Sequence, residues 1–156
     1  MGHTGVPAPV KGRDGAVGCW GRSDLGGGMD EDEFTRFWAQ RRLCTLASPR
    51  PDGSIHQVPV GATYDAEARL VRVISSGSSY KARNLAAHPG ARVSVSQVEG
   101  RSWCTVEGYA TVSDDPERVA EAVRRYGERY KTPRENPGRV VIEIAVERFL
   151  GNVRPG

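Results

Sequence analysis

Hydrophobic positions along this chain change period several times, and each change marks an element. Phe34, Phe37 and Trp38 stand at i, i+3 and i+4, with Arg41 one turn on, behind the acids Glu31, Asp32 and Glu33. That spacing predicts a short amphipathic helix, with carboxylates where the helix dipole favours negative charge. LCTLAS then reads as a strand, and Asp52-Gly53 within PRPDGS is a strong hairpin signal. IHQVPVGATY returns as a second strand, whose Pro59 marks a sheet edge or a bulge because proline cannot donate to a ladder. RLVRVISS alternates as the third strand of an antiparallel meander.

A helix is predicted over residues 79–87, ended by His88-Pro89-Gly90. ARVSVSQV, the turn EGRS and SWCTVEGYATVS supply another hairpin. Ser113 or Asp114 caps a third helix with Pro116 near its first position, and Val119, Val123, Tyr126 and Tyr130 form its inward stripe. The loop KTPRENPGR leads to a last strand, VVIEIAVERFLG, alternating with period two. The order α-β-β-β-α-β-β-α-β, with hairpin-length links, predicts an α+β, mainly antiparallel fold whose six strands form a small barrel. Residues 1–28 stand apart: they hold nine of the nineteen glycines and show neither period. They are expected to be a disordered leader, or the product of a mis-assigned start, ahead of one domain over residues 29–156.

Composition narrows the function classes. The net charge of +3 is mild and the basic residues are scattered, which argues against nucleic acid and suits a small anionic ligand. Cys19, Cys44 and Cys104 form no C-x-x-C pair, as expected of a reduced protein with neither disulfides nor a zinc site. Apolar runs are only a few residues long, so a soluble, cytoplasmic chain without signal peptide or spanning helix is expected.

Chemistry concentrates in SSGSSYKARNL, residues 75–85, where a glycine-serine turn meets Lys81 at a predicted helix start. A lysine there is opposed by the helix dipole, and makes most sense if an anion, most simply a phosphate, shares the spot. The alternative is that the serines only cap the helix and Lys81 points into water. His3, His56 and His88 make no metal triad, and Glu107, Glu143 and Glu147 read as a solvated strand face. Trp103 reads more readily as core than as a stacking platform. With no nucleophile or acid/base dyad in view, a cofactor is expected to carry any reaction.

From about residue 33 to residue 153 the chain resembles the flavin/deazaflavin oxidoreductases built on the split β-barrel of pyridoxamine 5'-phosphate oxidase. The matching marks are the first helix, LCTLASPRPDGSIHQVPV, SSYKARNLAAHPGARVSV and WCTVEGYATV, in that order. Within that superfamily RVISSGSSYKARN, VSQVEGRSWCTVEGYA and RYKTPRENPGRVVIEIAVERFLG look like the actinobacterial F420-dependent biliverdin reductases. The resemblance implies a homodimer with two cofactor sites at the subunit interface. Lys81 would bind the cofactor phosphate with Ser75, Ser76 and Asn84; His56, Gln57, Val58, Pro59 and Val60 would lie along the ring; Trp103 would close the site from the other subunit. FMN-binding oxidases commonly carry an arginine before that lysine, where this chain has Tyr80, which weakens FMN relative to F420. Arg50 and Arg83 would suit the charged F420 tail. Arg129, Lys131, Arg134 and Arg139 either pair with the propionates of a linear tetrapyrrole or are solvated loop charges. Three readings follow: an F420H2-dependent reductase acting on biliverdin, an FMN-dependent oxidoreductase, and a non-catalytic module that sequesters a flavin or tetrapyrrole.

The leader has little to bury, so a chain beginning at Met29 is expected to match the full chain in thermal midpoint and activity. A drop of many degrees on truncation would show that residues 1–28 pack.

Overall fold

The computed structural model describes residues 31–156; the leader assigned to residues 1–28, with His3 and Cys19, lies outside the described residues. Three helices, α1 (Glu31–Ala39), α2 (Tyr80–Ala87) and α3 (Pro116–Arg129), accompany seven strands. These are β1 (Cys44–Pro49), β2 (Ile55–Val60), β3 (Ala62–Asp65), β4 (Leu70–Ser76), β5 (Ala91–Glu99), β6 (Ser102–Ser113) and β7 (Arg139–Gly151). All pairings are antiparallel, in the order β2-β1-β5-β6-β7-β4-β3.

The expected second strand is two strands. IHQVPVGATY breaks at Gly61, so β2 pairs with β1 and β3 pairs with β4. These two strands are the opposite edges of the sheet, yet only Gly61 separates them in the chain. The sheet must therefore curl until its ends meet at that glycine, which makes a barrel joined at one point and open beyond it. A side chain at position 61 would collide with the Tyr126 ring of α3, its Cβ only 2.5 Å from Cε2, so glycine is required at the joint. Pro59 sits on the edge strand, where its missing N–H costs no ladder bond. The meander is corrected as well, because RLVRVISS pairs with β3 and β7 and not with β2.

Inward residues fill the barrel, among them Leu46, Val71, Val73, Val95, Val106, Ile142 and Ile144. Phe34, Phe37 and Trp38 of α1 close one end and are buried within a single chain. Phe34 meets Tyr64 and Phe149 edge-on at 5.5 and 5.2 Å. The period of β7 holds, but Val141 to Ile144 are all buried because α3 covers the outer face of that segment. Glu143, expected on a solvated face, is 6 % exposed and held by Arg118 at 2.6 Å. Glu107 pairs with Arg148 at 3.3 Å and Glu147 with Arg92 at 2.9 Å.

Helix α3 is capped by Asp115, not by Ser113 or Asp114: its carboxylate accepts from the Glu117 N–H at 3.2 Å, with Pro116 as first helical residue. The expected stripe is only half-buried; Ala122 and Arg129 are the fully buried residues of the helix. Arg129, 6 % exposed, donates to the Gln40 carbonyl at 3.0 Å, the Ala62 carbonyl at 2.6 Å and Gln97 Oε1 at 2.6 Å. Its guanidinium also lies over Trp38, 4.9 Å from the ring centre. The side chain thus ties α3, the end of α1, β3 and β5 together from inside and does not face the loop surface. Arg129→Ala is expected to lower unfolding free energy by about 3 to 5 kcal/mol, because three buried oxygens lose a donor. Lys131→Ala, in the exposed loop, should change it by less than about 0.5 kcal/mol. Urea midpoints of the two variants test the contrast.

Candidate functional site

Strand β4 ends at Ser75 and Ser76, turns through Gly77, and enters α2 with Ser79 as N-cap, whose hydroxyl accepts from the Ala82 N–H at 3.3 Å. Ser75 and Ser79 hydroxyls lie 2.8 Å apart, and those of Ser76 and Ser78 3.0 Å apart. The Gly77 N–H donates to the Gly138 carbonyl at 2.8 Å, and a Cβ at position 77 would stand 3.1 Å from that oxygen. Glycine here lets the serine turn press against the loop before β7. On the other side, Asn84 donates to the Pro49 carbonyl at 3.0 Å and the Tyr80 ring rests 4.9 Å from that of His56. Helix α2 is therefore a wedge in the open part of the barrel, between the end of β4 and the β1–β2 hairpin.

Lys81 lies in the first turn of this wedge. It is half-buried, the turn carries no acid, and among the described residues no carboxylate comes within 4.0 Å of it. Burial holds its pKa below the usual lysine value, as expected of a cation without a partner. His56 is lowered too, first by burial and then by the charges of Arg50 and Lys81. Its Nδ1 is buried without a hydrogen-bond partner, and so is the Ser48 hydroxyl, which belongs to its cross-strand neighbour. Arg50 donates to the Ile55 carbonyl at 2.8 Å, with its guanidinium 5.9 Å from the centre of the Tyr80 ring. Lys81, Arg50, an imidazole whose charged form burial disfavours, serine hydroxyls and helix amides gather here, and the one acid of the β1–β2 turn, Asp52, is exposed and bound to Ser54, which makes an anion-binding arrangement.

The other expected site residues divide. Val60 is buried in the core and Val58 packs against it, while Gln57 and Pro59 point outward on a strand whose far side is unpaired. Asn84 spends its donor on Pro49, so it positions the wedge. Arg83, Lys131 and Arg134 are exposed. Arg139 stands opposite Ser76 in the β4–β7 ladder and donates to the Arg134 carbonyl at 2.6 Å, so it borders the serine turn. Trp103 is half-buried on the outer sheet face, with its backbone N–H bonded to Asn152 Oδ1 at 2.8 Å. It lies seven residues, about 23 Å of strand, from Ala110, whose carbonyl accepts from the Gly90 N–H just after α2. The interior tie of Arg129 separates it from the four loop cations with which it was grouped. Sequence reasoning missed the roles of Ser48 and Gly77, since neither position carries a pattern until the strands are paired.

A cavity of about 590 Å³ lies among Phe34, Trp38, Tyr64 and Phe149, and one of about 290 Å³ borders the β1 side of the cleft, beside Ser48, Arg92 and Glu147. The anion site lies in the cleft between the serine turn and the β1–β2 hairpin. Among the described residues no His/Cys/Asp/Glu cluster could hold a metal ion, and no helix is long and apolar enough to cross a membrane.

Comparison with known proteins shows the family of the fold. A family model described as pyridoxamine 5'-phosphate oxidase matches residues 30–152. An F420H2-dependent biliverdin reductase of Mycobacterium tuberculosis is 46 % identical over 121 residues, covering 78 % of this chain and 87 % of that one. Among solved structures, an F420 reductase superposes with a TM-score of 0.60 at 22 % identity, over 74 % of this chain and 94 % of its own. A conserved hypothetical protein from Mycobacterium tuberculosis gives 0.66 at 25 %, over 79 % and 84 %.

The uncompensated lysine has a cost with a definite sign. A lysine with a depressed folded pKa destabilises the fold below that value, and the cost fades as pH rises through the unfolded pKa. Lys81→Met is therefore expected to melt at or above the wild-type temperature at neutral pH, while losing stabilisation by added phosphate. A clear fall in melting temperature would show that Lys81 serves the fold.

Proposed function

Since the chain belongs to the pyridoxamine 5'-phosphate oxidase family and shares 46 % identity with an F420H2-dependent biliverdin reductase, we propose that it is an F420H2-dependent reductase whose acceptor is biliverdin. The observation that carries the reading is Lys81, half-buried at a helix N-terminus with no carboxylate in reach. The residues present fit F420: one phosphodiester charge meets one lysine, and Arg50, Arg83 and Arg139 border the cleft where an acidic tail would run. Reduced F420 supplies a hydride, and so a two-electron reduction of a conjugated acceptor.

The chain's own residues bind and orient. Lys81, Ser75, Ser76 and the first amides of α2 would hold the phosphodiester. The unpaired edge of β2, from His56 to Val60, would offer backbone groups to the ring. Lys131, Arg134 and Arg139 supply charge for the carboxylates of the acceptor, with Arg139 closest to the serine turn. Covering the cleft would exclude water from the reacting carbon and strengthen each of these contacts.

That cover is a second copy of the chain. The outer face of β1, β5 and β6 is covered by no helix among the described residues and presents Thr45, Ala47, Ser94, Ser96 and Thr105, all small and half-buried. Exposed Leu43 (70 %), Val98 (61 %) and Leu150 (38 %) surround Trp103 at one end of it. A homodimer through this face would bury those side chains and carry Trp103 toward the partner's cleft. Cys44 and Cys104 are free and buried, in keeping with a reducing cytoplasm. The FMN-dependent alternative rests on the family description alone.

Purified from a host that makes no F420, the protein is expected to be nearly colourless, to bind added F420, and to oxidise reduced F420 only when biliverdin is supplied. Because the tail and carboxylate contacts are partly exposed, salt should weaken binding of F420 more than of its phosphate-free deazaflavin core. Stoichiometric FMN in the purified protein would move the assignment to the FMN-dependent reading. Binding of F420 without turnover of biliverdin would leave the cofactor and remove the substrate.

A further inference from the structure

We propose that His56 is a specificity-determining residue of the phosphate cleft: unprotonated beside a phosphodiester, it takes up a proton when a dianionic phosphomonoester binds, so the cleft favours the diester as pH rises. This rests on the cleft being the phosphate site assigned above. It adds which phosphate chemistry the site selects.

The groups facing His56 can be named element by element. From α2 come the Tyr80 ring, 4.9 Å away, and Lys81; from the β1–β2 turn comes Arg50, which lies over the other part of Tyr80. From β1 comes Ser48, directly across the ladder and 2 % exposed, with its hydroxyl unpartnered. Asp52, the acid of the same turn, is exposed and bound to the Ser54 N–H and hydroxyl at 2.9 and 2.6 Å. His56 Nδ1 is buried and has no hydrogen-bond partner among the described residues. The imidazole is therefore walled by an aromatic ring, a hydroxyl and two cations, with no carboxylate to favour its charged form.

A phosphate entering this cleft changes the balance by its charge. A diester carries one negative charge, which Lys81 neutralises, and His56 stays as it is. A monoester carries nearly two above about pH 7, since its second pKa is about 6. One lysine leaves that group with excess negative charge in a half-buried site, and the nearest group able to accept a proton is the unpartnered Nδ1 of His56. The proton comes from solvent and stays on the ring, so monoester binding includes proton uptake and diester binding does not. The sign follows: monoester affinity is highest while the bound-state imidazole is protonated and falls as pH rises through its raised pKa. Arg50, tied to the Ile55 carbonyl, stays at the rim and contributes to both ligands alike.

The test uses two ligand pairs, FMN with riboflavin and F420 with its phosphate-free deazaflavin core, and measures how much each phosphate adds to affinity. Between about pH 7 and 9 the FMN-to-riboflavin affinity ratio is expected to fall roughly tenfold, the F420 ratio by less than about twofold. Deprotonation of Lys81 would lower both ratios together, so their quotient isolates the histidine. In His56→Gln the quotient should be flat. A flat quotient in the wild type, or an unchanged slope in His56→Gln, overturns the proposal. If the variant does not fold, NMR titration of the wild-type imidazole decides: with saturating inorganic phosphate its pKa should rise by about one unit, and no rise rejects the mechanism. Failure of F420 to bind would refute the cofactor assignment while the FMN pair still tests His56.

Discussion

The site depends on one constraint of chain geometry: β2 and β3 are consecutive through Gly61 but lie at opposite edges of the sheet. No flat sheet satisfies that connection. The seven strands curl until their ends touch at Gly61, and beyond that residue β2 and the end of β4 diverge. A gap in a β-barrel leaves unpaired backbone and an uncovered core end, so something must fill it. Helix α2 does so, with Ala82 and Leu85 buried, Asn84 latched to Pro49 and Ser79 bonded to Ser75. The filler has its N-terminus in the gap, which places partial positive charge beside an edge strand. Adding Lys81 to that position raises the positive charge further, where a protein built only for stability would place an acid.

The same chain handles its other buried charges differently. Asp65 and Glu143 are compensated by Arg72, Arg118 and Arg125, which bind α3 to β3, β4 and β7. Arg129 is compensated by carbonyls and aromatic faces. Arg42, also buried, reaches Glu99 at 3.2 Å and the Phe37 carbonyl at 3.0 Å. Against that background Lys81 stands out, with no such partner among the described residues; Ser48 and His56 beside it also hold unpartnered buried polar atoms, as Trp38, Thr63 and Gln97 do elsewhere, so the unpaired charge is what marks the cleft. A half-buried cation is normally paired, so the missing counter-charge at Lys81 points to an anionic ligand supplying it.

Much of this was legible in the sequence because it rests on local rules. The helix of Phe34, Phe37 and Trp38, the Asp52-Gly53 hairpin and the helix start at Lys81 follow from periodicity, turn chemistry and capping. The family resemblance, carried by ordered motifs over most of the chain, pointed to the split barrel and to F420. What stayed hidden depends on long-range pairing. IHQVPVGATY looks like one strand because both halves alternate; only the different partners of β2 and β3 reveal the break. Glu143 and Arg129 look solvated because alternation along β7 and along α3 cannot show that these elements cover one another.

The central claim is that a hydride passes from reduced F420 to a tetrapyrrole held in this cleft. It is tested most directly by single turnover with F420 reduced with deuterium at the transferring carbon, biliverdin as acceptor, and mass analysis of the product. The account predicts one deuterium in the reduced tetrapyrrole for each F420 oxidised, with Lys81→Ala slow at low cofactor concentration and recovering as cofactor is raised. Oxidation of F420 without deuterium in the tetrapyrrole, or labelled product at the same rate whether or not Lys81 is present, would contradict it.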